Sequence, residues 1–245
     1  MKSEWFKDWF NTSQYLDVYK HRNEDDAEDH IKLILENVLI KPDAKILDMA
    51  CGAGRHAIIL ARKNFDVTAV DLSENLLKVA KQNAKNEKLT IRFIHSDIRN
   101  FNTDIKFDLV LNLFTSFGYF ETDEENFSVL DKAFKLLTKD GFFVLDYFNS
   151  EYLKKNLIGY SNEKIGDEVI FQKRKIEGSR VIKKITIQKN GGSNEYTESV
   201  RMYNYDELTE QLKKIGFDIY KTFGDFFGNK FDLQNSSRLI MICKK

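Results

Sequence analysis

The residues of this chain best suited to chemistry are Asp48, Gly52, Gly54, Asp71 and Asp97. Gly52 and Gly54 break the chain just after a short apolar run that begins at Ile46. Glycines there let the backbone turn sharply and approach a ligand that any Cβ would hold away. Asp71 ends the next apolar run, 19 residues beyond Gly52. In doubly wound folds an acid at about that spacing accepts hydrogen bonds from ribose hydroxyls. Asp97 follows a third apolar run, at the carboxyl end of a strand, where open α/β sheets bind ligands. Taken singly these signals are weak, because many tight turns use glycine and Asp71 could equally cap a helix beginning at Ser73. The spacing joins them into a nucleotide-binding strand–turn–helix–strand unit.

The elements that must position these residues follow from the apolar pattern. A helix is expected over 24–39, capped by Asn23 and opened by Glu24, Asp25 and Asp26 at the positive end of its dipole. Pro42, the only proline, marks the turn before strand one. Strands are expected over 66–71, 90–94, 107–113 and 142–148, with 107–113 a near-continuous apolar run of the buried parallel type. Ser73 caps a helix carrying Leu76, Leu77, Ala80 and Ala84. Thr122 and Glu125 form a capping box for another helix, in which Phe127, Leu130, Phe134 and Leu137 are spaced for burial. Residues 160–203 change character and are read as an antiparallel β insertion, with strands over 168–176, 181–189 and 195–203. A helix over 206–215 and strands over 217–223 and 238–243 close the chain.

The pattern D-x-A-C-G-x-G at 48–54, followed by V-D-L-S at 70–73 and H-S-D-I at 95–98, resembles the class I S-adenosylmethionine-dependent methyltransferases. A dinucleotide dehydrogenase more often shows G-x-G-x-x-G, and Ala57 is tolerated in that motif, so the Asp97-Ile98 pair favours the methyltransferase. One departure is Ala50, where many members carry glycine. The resemblance implies an α/β, Rossmann-like, doubly wound sheet of seven strands in the order 3-2-1-4-5-7-6, mostly parallel with the last strand antiparallel. It implies one methyltransferase domain over 1–245, bearing the insertion after strand five. It also assigns a site. Backbone of Ala50, Cys51, Gly52 and Gly54 would approach the methionine moiety, whose amino group Asp48 orients. Asp71, followed by Leu72, would take the ribose, and Asp97 with Ile98 the adenine. Asn112, Leu113 and Phe114 would line the methionine side.

Residues 5–22 are dense in aromatic side chains, with Trp5, Phe6, Trp9 and Phe10 on one helical face. Residues 1–22 are read as an aromatic lid. In the enzymes this chain resembles, tyrosines of a Y-x-x-x-Y segment lie near the cofactor, and Tyr15 and Tyr19 match it, the latter toward the acceptor. Tyr119, Asp146 and Tyr147 are further candidates for the acceptor side, and His21 could also handle a proton.

The expected activity is methyl transfer to a small molecule, an amine or amino sugar among the candidates. Enzymes methylating nucleobase amines typically carry Asn/Asp-Pro-Pro-aromatic after strand four, and no proline stands there. Two rivals stay open: an RNA or protein methyltransferase docking through the basic insertion, and a non-catalytic cofactor-binding module. Lys plus Arg equals Asp plus Glu at 38 each, which gives no global attraction to nucleic acid or anionic lipid. No run of about 18 uncharged apolar residues could span a membrane. The first residues lack a signal-peptide core, and Cys51 and Cys243 make neither a disulfide framework nor a metal site, so a cytoplasmic protein is expected. The acceptor and the oligomeric state, a homodimer included, stay open.

Overall fold

Strand side chains alternate between two apolar layers, and that alternation sets the architecture. Val110, Phe143, Leu145, Leu239 and Met241 point into one layer, while Leu109, Leu111, Val144, Ile240 and Ile242 point into the other. A strand buried on both faces needs helices on both faces. The computed structural model, described for residues 4–19, 24–189 and 191–245, supplies them.

The chain opens with two short helices, α1 (Trp5–Trp9) and α2 (Ser13–Val18), followed by α3 (Glu24–Asn37). The main sheet and its helices come next as β1 (Lys45–Met49), α4 (Arg55–Arg62), β2 (Asp66–Asp71), α5 (Glu74–Asn86), β3 (Arg92–His95), β4 (Phe107–Asn112), α6 (Asp123–Leu136) and β5 (Leu137–Phe148). A short helix, α7 (Ser150–Asn156), leads to β6 (Tyr160–Ile165), β7 (Glu168–Glu177), β8 (Arg180–Lys189) and β9 (Gly192–Arg201). Helix α8 (Tyr205–Ile215), β10 (Asp218–Phe223) and β11 (Arg238–Lys244) complete the fold.

The seven-stranded sheet runs β3-β2-β1-β4-β5-β11-β10, with β11 antiparallel to both neighbours, as the resemblance implied. Strands β6 to β9 form a second, wholly antiparallel sheet. That sheet has four strands where the sequence pattern suggests three. β6 reads Tyr-Ser-Asn-Glu-Lys-Ile, mostly exposed and lacking apolar alternation, so its pairing with β7 carries no sequence signal. Leu137, expected in the last turn of a helix, instead begins β5. The proposed Asn23 cap lies outside the described residues. Among the described residues no helix is long and apolar enough to cross a membrane.

Candidate functional site

The loop after β1 is shaped by its backbone. Gly52 and Gly54 both have positive φ, 57° and 81°. A Cβ on Gly54 would come within 2.9 Å of the Ala80 Cβ, so glycine here lets α4 start close against α5. Ala50 also sits in the left-handed region, at φ 59°. This explains why glycine is common at that position among the enzymes the chain resembles; alanine there costs roughly 1–2 kcal/mol.

Asp71, at the end of β2, stitches this loop to the next. Its carboxylate accepts from Gly52 N at 2.7 Å and from Ser73 N at 2.7 Å. Burial raises its pKa, against those backbone bonds. Asp48 is buried deeper, and burial together with the nearby Asp71 charge pushes it up to about 7, opposed by Arg55. Its Oδ2 has no hydrogen-bond partner within the protein. A buried orphan oxygen of this kind calls for a donor from a ligand.

Three adjoining cavities meet at these strand ends. The largest, about 310 Å³, is lined by Asp48, Ala50, Cys51, Gly52, Leu113 and Phe114, with Tyr15, Tyr19 and Tyr119 opposite. The second, about 80 Å³, lies between Asp71, Leu72, Asp97 and Ile98 and the rings of Phe6 and Phe10. A third, about 110 Å³, opens behind Tyr15 and Tyr19 and reaches Glu198 on β9. Burial works to raise the Asp97 carboxyl, but hydrogen bonds from Arg99, the shortest at 2.6 Å, outweigh it and hold the pKa low.

The arm of α1 and α2 forms the outer wall. Trp5, Phe6, Trp9 and Val18 are buried against the core. The Ser73 hydroxyl donates to the Phe10 carbonyl at 2.8 Å, and Arg99 reaches Glu4 at 3.1 Å. Trp9 Nε1 and the Tyr19 hydroxyl both donate to Glu198, at 2.7 and 2.5 Å.

Most residues singled out from the sequence converge on the cleft, but four do not face it. Gly54 acts through packing rather than contact. Asn112 is fully buried and donates to the Ser116 carbonyl at 3.3 Å, bracing the loop after β4. Asp146, expected on the acceptor side, is sealed in the core. Its oxygens are taken by Phe114 N at 2.8 Å and by the Arg238 guanidinium at 2.5 and 2.8 Å. It thereby fastens Phe114 and Thr115, two consecutive non-glycine residues at φ 57° and 63°, a conformation that costs about 1–3 kcal/mol each. Tyr147 is also corrected: it is fully buried, and its hydroxyl donates to the Arg201 carbonyl. His21 lies outside the described residues.

Some residues of the cleft were missed. Arg55 and His56 line the 310 Å³ cavity from the first turn of α4, and their position directly after Gly54 was the available signal. Burial pushes the His56 imidazole well below its usual range, which keeps it neutral. Arg180, on β8, donates to the carbonyls of Gly118, Tyr119 and Phe120 at 3.1–3.3 Å and so fixes the Tyr119 loop. No local pattern marks Arg180 or Glu198 as part of the cleft, because the loop and arm residues that they hold lie 60 or more residues away.

The donor set fits S-adenosylmethionine. An orphan buried carboxylate suits an ammonium, a strand-end carboxylate suits a ribose diol, and a slot between apolar rings and Ile98 suits a purine. Among the described residues no group of three or more His, Cys, Asp or Glu residues suited to a metal occurs.

A glycine/sarcosine N-methyltransferase from Parasynechococcus marenigrum (strain WH8102) is 24% identical over 250 residues, covering 100% of this chain and 85% of that protein. A release factor glutamine methyltransferase from Lactococcus lactis subsp. lactis (strain IL1403) is 36% identical, over only 43% of this chain and 39% of its own length. Among solved structures, an S-adenosylmethionine-dependent methyltransferase from Clostridium acetobutylicum ATCC 824 superposes with a TM-score of 0.80 at 22% identity, covering 94% of this chain and 95% of that one. CalS10, an amino pentose methyltransferase from Micromonospora echinaspora, gives 0.68 at 19%, covering 95% and 97%. The family model described as "Methyltransferase domain" matches residues 40–198, from just before β1 into the second sheet. The glycine loop, the strand-end acids and the loop after β4 all fall inside that match, and the chain belongs to the methyltransferase domain family.

Proposed function

We propose that this protein transfers a methyl group from S-adenosylmethionine to the nitrogen of a small amine, an amino acid or amino sugar. The observation that carries this reading is the aromatic chamber at the acceptor end of the cleft, about 110 Å³, with a carboxylate in its wall. When bound, the cofactor supplies an activated methyl on a sulfonium, so holding donor and acceptor together can provide most of the acceleration. The residues then divide the work. Asp48 holds the donor's ammonium, Asp71 the ribose, and Asp97 and Ile98 the adenine. Tyr15, Tyr19 and Tyr119 separate donor from acceptor, while the arm covers the cleft and excludes water.

The basic insertion does not favour a nucleic-acid partner. Arg174, Lys175, Arg180, Lys183 and Lys189 are engaged within the chain, on Gln172, Glu177, loop carbonyls, Tyr19 and Glu168 respectively. The segment after β4 also lacks prolines, unlike the Pro-Pro loops of nucleobase amine methylation.

Methyl-labelled cofactor incubated with glycine, sarcosine, amino-sugar nucleotides, RNA and whole-cell protein tests the reading. Label is expected on a small amine. Label found only on RNA or protein would overturn it.

A further inference from the structure

The chamber behind Tyr15 and Tyr19 has a composition that speaks to charge. Its walls are chiefly the rings of Trp5, Phe10, Tyr15, Tyr19 and Tyr119, and among the residues lining it Glu198 alone is charged. Tyr15, Tyr19 and Tyr119 also line the 310 Å³ donor cavity, so a group among these rings sits beside the methyl donor.

Three classes of acceptor group can be weighed against these walls. An anion would meet a carboxylate and the negative faces of the rings. A neutral apolar group would strip water from that carboxylate without returning a partner. A cation gains from both, through the ring faces and through the counter-charge.

Glu198 is held for such a role with its charge only partly offset by Lys183. Its Oε1 accepts from Trp9 Nε1 at 2.7 Å and from the Tyr19 hydroxyl at 2.5 Å, both neutral donors. Its Oε2 faces Lys183 Nζ at 3.7 Å, long for an ion pair. Lys183 instead donates to the Tyr19 oxygen at 2.6 Å and lies 4.4 Å from the centre of that ring. A cation of the protein therefore already uses one ring face and part of the Glu198 field.

We propose that this chamber docks the acceptor's ammonium group, which gives up one proton to water before its nitrogen can take the methyl, with Glu198 as its counter-charge and Lys183 as an internal competitor that moderates affinity. The proposal rests on the reading that the acceptor is a small amine. It gives the two residues opposite signs: loss of Glu198 weakens cation binding, and loss of Lys183 strengthens it. A purely structural pair, anchoring the arm to β8 and β9, would have no such opposition and no preference for charge in the ligand.

Tetramethylammonium and tert-butanol, close in size and shape and different in charge, serve as probes. Each is titrated by ligand-observed NMR into the full chain saturated with S-adenosylhomocysteine. Tetramethylammonium is expected to bind on the order of tenfold more tightly than tert-butanol, the scale of a desolvated cation–π contact with a counter-charge. Glu198→Gln is expected to abolish that preference, and Lys183→Met to increase tetramethylammonium affinity several-fold, each measured with the variant saturated with S-adenosylhomocysteine. Equal binding of the two probes, or no binding of either, to the unmodified loaded protein overturns the proposal whatever the variants do. Failure of S-adenosylhomocysteine itself to bind would instead overturn the methyltransferase reading beneath it.

Discussion

On the donor side of the cleft each acidic side chain stands on a strand or in the loop directly after it, and Asp71 ties Gly52 to Ser73 across 19 residues. On the acceptor side the decisive contacts span far more of the chain: Tyr19 meets Glu198 across 179 residues, and Arg180 meets Phe120 across 60. The acids and the glycine loop of the donor half need only the parallel sheet to place them, although the arm completes the walls around them. The acceptor half needs the arm, the second sheet and the loop after β4 to pack against one another. Variation in the second half can therefore change the acceptor while the first keeps its ligand.

The largest effect that could break this division is at Asp71. Asp71→Ala should weaken S-adenosylhomocysteine binding by roughly 1.5–3 kcal/mol in calorimetry, the scale of hydrogen bonds to a charged group. Asp71→Asn keeps one acceptor oxygen and should fall between. A folded Asp71→Ala protein with unchanged affinity would remove this residue from the ribose site.

A smaller effect concerns pH. Burial and the Asp71 charge raise Asp48 to about 7 in the fold, above its value in the unfolded chain. The folded state thus binds that proton more tightly. The corresponding stability is fully present below about pH 4 and is lost as pH rises through about 7. Ligand binding runs the other way, because the ionised carboxylate is the form that attracts the ligand's ammonium. Affinity for S-adenosylhomocysteine should rise several-fold between about pH 6 and 8, and Asp48→Asn should flatten the rise. His56 stays neutral across this range and does not contribute. A flat profile in the unmodified protein would show that Asp48 does not face the ammonium.

The same division explains what was legible in the sequence. The glycine loop and the acids at 48, 71 and 97 are local signals, readable from apolar runs and spacing, whereas the sheet order followed from the family that those residues resemble. Asp146 and Tyr147 were misplaced for a definable reason: both stand near the ligand-facing end of β5, but Arg238 and Arg201 reach them from later elements and seal them in the core. Strand β6 was missed because its side chains are mostly exposed and the pairing is made by backbone alone. Glu198 and Arg180 sit in a stretch whose charges read as a solvated face until the arm and the loop after β4 are packed upon it.

Hydrogen exchange with and without S-adenosylhomocysteine tests most directly whether the arm is the lid of a cofactor site. Exchange in residues 5–18 is expected to slow markedly on binding, together with the loop at 50–54, while the central strands β4 and β5 stay equally protected in both states. Equal exchange of the arm in the two states would contradict the lid and make α1 and α2 permanent parts of the core.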